Sequence, residues 1–86
     1  MNWLDLEVGD KVKFTKKYLI RLCEEYKKDK IYDVVYIIVI REDVINVAIS
    51  NNGFITDYYI NENGCGVYYY RLPIFEIVEL REDVDV

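Results

Sequence analysis

Histidine is absent from the 86 residues, and outside tyrosine the hydroxyl side chains are limited to Thr15, Ser50 and Thr56. Without an imidazole the commonest general base is missing, and with it the usual partner of a Ser or Cys nucleophile, so no catalytic triad can be assembled. Cysteine occurs only at Cys23 and Cys65. Two thiolates without histidine cannot close a zinc site within one chain, and they are too few for the disulfide framework of a small secreted domain, so a reducing compartment is expected. Cys23 falls on an apolar helical stripe and is expected to be buried, and Cys65, between Gly64 and Gly66, to be an incidental loop thiol. Four glycines supply no phosphate-cradling loop of Walker or dinucleotide type, and Asn61-Glu62-Asn63-Gly64 lacks the carboxylate density of a calcium loop. Asp57 and Glu62 could be imagined as a glycosidase pair, but surface acids are the default reading on so small a chain. No apolar run approaches the ~20 residues of a membrane helix, and the start, MNWLDLEVGD, has neither a basic nor an apolar signal region. The expectation is a cytoplasmic, non-enzymatic protein without metal, cofactor or membrane span.

What is present is apolar, aromatic and unevenly charged. Hydrophobic residues make up 52% of the chain and aromatics 15%, including nine tyrosines, enough to offset the entropy of ordering one domain over residues 1–86. Residues 1–30 carry eight Lys/Arg against six Asp/Glu, a net +2, and residues 31–86 carry three Arg against ten acids, a net −7, summing to −5. Such a chain repels the phosphate backbone at long range unless Lys11, Lys13, Lys16, Lys17, Arg21, Lys27, Lys28 and Lys30 collect on one surface. An acidic surface can instead dock a basic protein.

The organising stretch is Ile31 to Ile49, IYDVVYIIVI, the charged turn Arg41-Glu42-Asp43, then VINVAI. Its β-branched and aromatic residues read as a β-hairpin whose first arm is apolar on both faces. Before it, residues 1–7 form a lead-in and Val8-Gly9-Asp10 a turn. Lys11 to Thr15 alternate as a half-buried strand, and Tyr18, Leu19, Leu22, Cys23 and Tyr26 mark an amphipathic helix over Lys16 to Lys28, capped by Thr15. After it, Asn52-Gly53 favours a tight hairpin turn into a strand over Phe54 to Ile60. A glycine-rich loop leads to a short strand from Val67 to Arg71, and Pro73 precedes a last strand, Ile74 to Leu80, ahead of a fraying acidic tail over residues 81–86. The expected core is Val12, Phe14, Leu19, Leu22, Val35, Ile37, Val39, Val47, Ile49, Phe54, Ile77 and Val78, with the register of the central strand open by one residue.

Short strands with turn signals every eight to twelve residues suggest a mostly β fold with one helix, a sheet of five to six antiparallel strands closing into a small barrel. The opening Val8-Gly9-Asp10-Lys11-Val12-Lys13-Phe14, the Tyr32-Asp33-Val34 step, the Asn-Gly turn and the ending Pro73-Ile74-Phe75-Glu76 resemble the small SH3-like barrels of phage and prophage proteins over residues 8–80. Nucleic-acid-binding members with a KOW motif place glycine after the first strand, and residues 10–52 here contain none. The resemblance fixes no chemistry, and the missing catalytic groups leave a non-catalytic protein-binding module, a monomer or homodimer, as the expectation. Its sharpest form is a phage-encoded inhibitor of a host defence protein, such as an anti-CRISPR that occupies a basic surface in the host cytoplasm. Adjacent strand residues point to opposite faces, so some of Tyr58, Tyr59, Tyr68, Tyr69 and Tyr70 must face outward. These tyrosines, with the acids Asp57, Glu62, Glu76 and Glu79, are the expected partner-binding residues. The alternative is a nucleic-acid-binding barrel using Lys11, Lys13, Lys16, Lys17, Arg21, Lys27 and Lys28.

Overall fold

The structure, a computed structural model, describes residues 2–79, so the expected tail over residues 81–86 lies outside the described residues. Five antiparallel strands form one sheet: β1 (Lys11–Phe14), β2 (Tyr32–Arg41), β3 (Val44–Asn51), β4 (Phe54–Asn61) and β5 (Phe75–Glu79), in the order β4-β3-β2-β1-β5. Among the described residues a single α-helix, α1 (Lys16–Leu22), follows β1, with 3-10 turns at Trp3–Asp5 and Glu25–Lys27. The sheet is open. β4 and β5 are its two edges, and the expected barrel closure is not reached among the described residues.

The stretch that could have carried closure, Val67 to Arg71, is a loop and not a strand. Tyr70 sits at φ 49°, and a Cβ on Gly66 would lie 2.4 Å from the carbonyl oxygen of Tyr69, so the chain curls tightly on itself here. Isolated bridges, Ile60 to Gly66 and Cys65 to Pro73, and a hydrogen bond from the Val67 N–H to the Tyr59 carbonyl at 3.0 Å tie this loop to its surroundings.

The helix is shorter than its apolar period suggests. Thr15 caps it as expected, its Oγ1 accepting from the Tyr18 N–H at 3.2 Å. Cys23 then adopts a left-handed conformation at φ 58°, donating to the Ile20 carbonyl while Glu24 N–H reaches back to Leu19. That is a Schellman end with cysteine where glycine is usual. The helix therefore stops at Leu22 and not Lys28, leaving Cys23 exposed and Tyr26 70% exposed, against the expectation that both pack inward.

The core clusters Val12, Phe14, Tyr18, Leu19, Tyr32, Val34, Ile45, Val47, Ile49, Ile60, Ile74 and Phe75. Val35, Ile37, Leu22 and Ile77 are only half-buried, and Val39, Phe54 and Val78 are exposed, which corrects the expected list. In β2 the register with β3 shifts twice: Val34 lies opposite Ile49 and Tyr36 opposite Ala48, leaving Val35 extra, and Val39 lies opposite Ile45 and Arg41 opposite Val44, leaving Ile40 extra. Inward positions are even before Val35 (Tyr32, Val34) and odd after it (Ile37), which no single alternation can describe. Phe54, 79% exposed, begins β4 opposite Asn51, beside the turn where Asn52 and Gly53 both have positive φ. β3 is covered on both faces, every residue from Val44 to Ile49 being buried.

Candidate functional site

Strand parity in β4 decides where the tyrosines go. Tyr58 lies opposite Val47 and turns inward, its ring 5.1 Å from that of Phe75, 5.8 Å from Phe14 and 6.2 Å from Tyr18. Tyr59, opposite Asn46, turns to the other face and stands edge-on to Tyr68 at 5.1 Å. The curled loop then brings Tyr68, Tyr69 and Tyr70 beside the end of β4. Together with Tyr18, Asp57 and Ile74, these residues line one cavity. All five candidate tyrosines and one of the four candidate acids thus converge.

Around this cavity the rings are graded from fixed to free. Tyr58 is half-buried and Tyr18 buried, whereas Tyr69 is 78% exposed. Tyr70 meets Tyr18 edge-on at 5.9 Å and carries the Arg21 guanidinium 5.7 Å above its face. Asp57 accepts from the amide of Asn46 at 3.1 Å, which holds the carboxylate on the rim and satisfies a buried asparagine. Burial pushes the Tyr18 phenol well above its ordinary range, with Tyr58, Tyr70 and Glu24 adding to the shift. Tyr58 is raised mainly by burial too. Both hydroxyls are neutral near pH 7 and offer a donor and an acceptor each.

The remaining candidates are dispersed. Glu62 is exposed in the turn after β4 and Glu76 is exposed on β5, opposite Lys13, and neither lines the cavity. The Glu79 backbone pairs with Lys11, but its side chain lies outside what is described. Three of the seven candidate basic residues are matched with local acids, Lys11 with Asp33 at 2.6 Å, Lys13 with Asp29 at 3.9 Å and Lys27 with Glu24 at 2.8 Å, while Arg21 lies over Tyr70. Lys16 and Lys28 border a separate small hollow with Leu19 and Glu25, and Lys17 is exposed on α1.

Two features were missed in the sequence. Tyr18 belongs to the cavity, and its apolar helical spacing marked it only as core. A second, wider cavity is lined by Arg41, Asp43, Asn61, Cys65 and Arg71, so two of the three arginines after residue 30 lie by the Cys65 loop. Arg41 is held by its own Asp43 at 2.8 Å. Among the described residues no group of histidine, cysteine and acidic side chains could hold a metal ion, and no helix is long and apolar enough to cross a membrane. Comparison with protein-family models, with curated proteins and with solved structures finds no match.

Proposed function

We propose that this domain is a non-catalytic protein-binding module that holds a basic partner at the tyrosine-lined cavity. The convergence of Tyr58, Tyr59, Tyr68, Tyr69 and Tyr70 with Asp57 on one concave surface supports it. Aromatic rings offer large contact area at low entropic cost, and the net −7 of residues 31–86 supplies a field that speeds association with a positive surface. The narrower version, a phage inhibitor that blocks a basic surface of a host defence protein in the cytoplasm, rests on small size, acidity and the resemblance to SH3-like barrels. The single antiparallel meander with β1 between β2 and β5 is compatible with an opened form of such a barrel.

Affinity capture from bacterial lysate, run in parallel with wild type, Tyr69→Ala and Tyr59→Ala, tests the assignment. A basic protein retained by wild type and weakened about 30-fold by Tyr69→Ala, corresponding to about 2 kcal/mol, is the expected result. Retention that ignores both tyrosines and is lost on Lys16→Ala, Lys17→Ala or Arg21→Ala would move the function to the helix. The nucleic-acid alternative is disfavoured by the local ion pairs of Lys11, Lys13 and Lys27. A gel shift at nanomolar protein that fades steeply with salt would restore it.

A further inference from the structure

The tyrosine-lined hollow has the make-up of a cage for a cation. Its volume of about 280 Å³ lies just under the roughly 300 to 1,000 Å³ of small-molecule and cofactor sites, a size for one side chain. The rings that border it stand nearly at right angles, Tyr59 to Tyr68 at 72°, Tyr18 to Tyr70 at 82° and Tyr18 to Tyr58 at 83°. Perpendicular rings around one space present negative faces to it from more than one direction, which parallel rings would not. One cation already lies on them: the Arg21 guanidinium sits 5.7 Å from the centre of the Tyr70 ring, without itself lining the hollow. The one carboxylate among the lining residues is Asp57, and it is held in place. It shares a face of β4 with Tyr59, and the buried amide of Asn46 donates to its Oδ2 at 3.1 Å. Among the described residues no cation pairs with it.

We infer that this hollow takes one arginine side chain of the basic partner, its guanidinium flat against the tyrosine rings and hydrogen-bonded to Asp57; the inference rests on the protein-binding reading given above and names the chemistry of the residue held. Charge and desolvation select the occupant. An apolar side chain would bury the Asp57 carboxylate without a partner, which costs more than its own burial returns. A lysine ammonium is a compact, strongly hydrated charge with three donors, and a single carboxylate among rings returns little of that hydration. A guanidinium is planar and more weakly hydrated, and it stacks on aromatic faces while its N–H fork meets a carboxylate. A quaternary ammonium has no donor to use Asp57, so the hydrogen bond with which Asn46 orients that carboxylate would serve nothing. Ile74, which also lines the hollow, precedes β5, and the described chain ends at Glu79, at the other end of that strand beside Lys11.

The test titrates capped Gly-Gly-Arg-Gly-Gly and Gly-Gly-Lys-Gly-Gly peptides and tetramethylammonium into the full chain, read by the ring resonances of Tyr59, Tyr68 and Tyr69. The arginine peptide should bind with a dissociation constant of about 10⁻³ to 10⁻² M, at least about fivefold tighter than the other two. Asp57→Asn, an exposed and isosteric change that still leaves an oxygen to accept from Asn46, should weaken the arginine peptide at least about fivefold with an unchanged amide spectrum. Equal or tighter binding of the lysine peptide or of tetramethylammonium overturns the assignment, and so does an arginine peptide that shifts none of these rings at about 20 mM. Shifts that emerge only in Arg81→Ala would mean that the chain's own Arg81 fills the hollow, which also overturns it. The two readings fail separately. A basic protein captured through Tyr69 while the peptides show no arginine preference leaves the binding module standing and removes the arginine; an arginine-selective hollow with no captured partner upholds the cage and removes the module.

Discussion

Replacing Phe14 by alanine should remove a large part of the stability of this domain. Its ring is buried at the centre of an aromatic group, with centroids 5.4 Å from Tyr18, 5.1 Å from Tyr32, 5.8 Å from Tyr58 and 5.4 Å from Phe75. Loss of a fully buried Phe side chain costs about 3 to 5 kcal/mol as transfer and cavity terms together. Four rigid rings around the void, from β2, β4, β5 and α1, leave little room for collapse, which places the cost toward the upper end. A chain of 86 residues has about 4 to 13 kcal/mol of stability at roughly 0.05 to 0.15 kcal/mol per residue, so the loss takes from roughly a third to all of it. Phe14→Leu separates the two contributions: it keeps most of the volume but removes the ring pairs, each worth about 0.5 to 1.5 kcal/mol and not additive, for a total of about 1 to 3 kcal/mol. Urea unfolding followed by the single tryptophan and by far-UV circular dichroism measures both. A Phe14→Ala loss under about 1.5 kcal/mol would refute the claim that α1 and the two sheet edges converge on this ring.

Three further outcomes follow from the same geometry. Tyr18, Tyr32 and Tyr58 all have phenols raised above their ordinary value, chiefly by burial, so the folded state holds these protons more tightly than the unfolded chain. Their contribution is fully present below the unfolded value of about 10 and is lost as pH rises above it; Lys27, raised by its bond to Glu24, has the same sign. Thermal melts should be flat with respect to these groups up to about pH 9 and fall beyond about pH 10, and Tyr18→Phe should soften the fall. Gly64→Ala should cost about 1 to 3 kcal/mol and shift tryptophan fluorescence, because Gly64 sits at φ +77° and its new Cβ would lie 2.7 Å from the Trp3 indole nitrogen; an unchanged emission spectrum counts against that packing. Leu19→Ala should cost about 2 to 5 kcal/mol and Leu22→Ala distinctly less, since Leu19 is buried and Leu22 only half-buried, and equal losses in urea melts would mean the helix docks farther along its length.

Much of the fold was legible wherever one residue decides the local geometry. Asn52-Gly53 turns the chain with two positive φ angles, Thr15 starts the helix, and Val12 and Phe14 alternate inward as their strand pattern requires. Legibility failed where geometry depends on residues far away in sequence. The bulge at Val35 arises from how β2 matches β3, and it reversed the inward set of the longest strand. Cys23 gave no hint of its left-handed conformation, because that position usually belongs to glycine or asparagine. Val67 to Arg71 has strand composition, yet Gly66 allows a curl that a strand would not. The tyrosines could be nominated from their number and adjacency, but their convergence on one cavity with Tyr18 needed that curl, and the two arginines beside Cys65 come from the end of β2 and from the curled loop.

Thr15 joins distant parts of the chain: its hydroxyl donates to the Pro73 carbonyl at 2.6 Å across 58 residues, and its N–H donates to the Ile74 carbonyl at 2.9 Å. This has a kinetic consequence. The hairpins β2–β3 and β3–β4 close through two-residue turns and can zip on a microsecond timescale, whereas β1 gains β5 only after a loop of nearly the whole chain has closed. Three of the five rings of the aromatic core, Phe14, Tyr18 and Phe75, wait on that late closure. Folding should therefore be set by the arrival of residues 73–79, the last described part of the chain to leave the ribosome, and Thr15→Val should slow refolding more than it speeds unfolding.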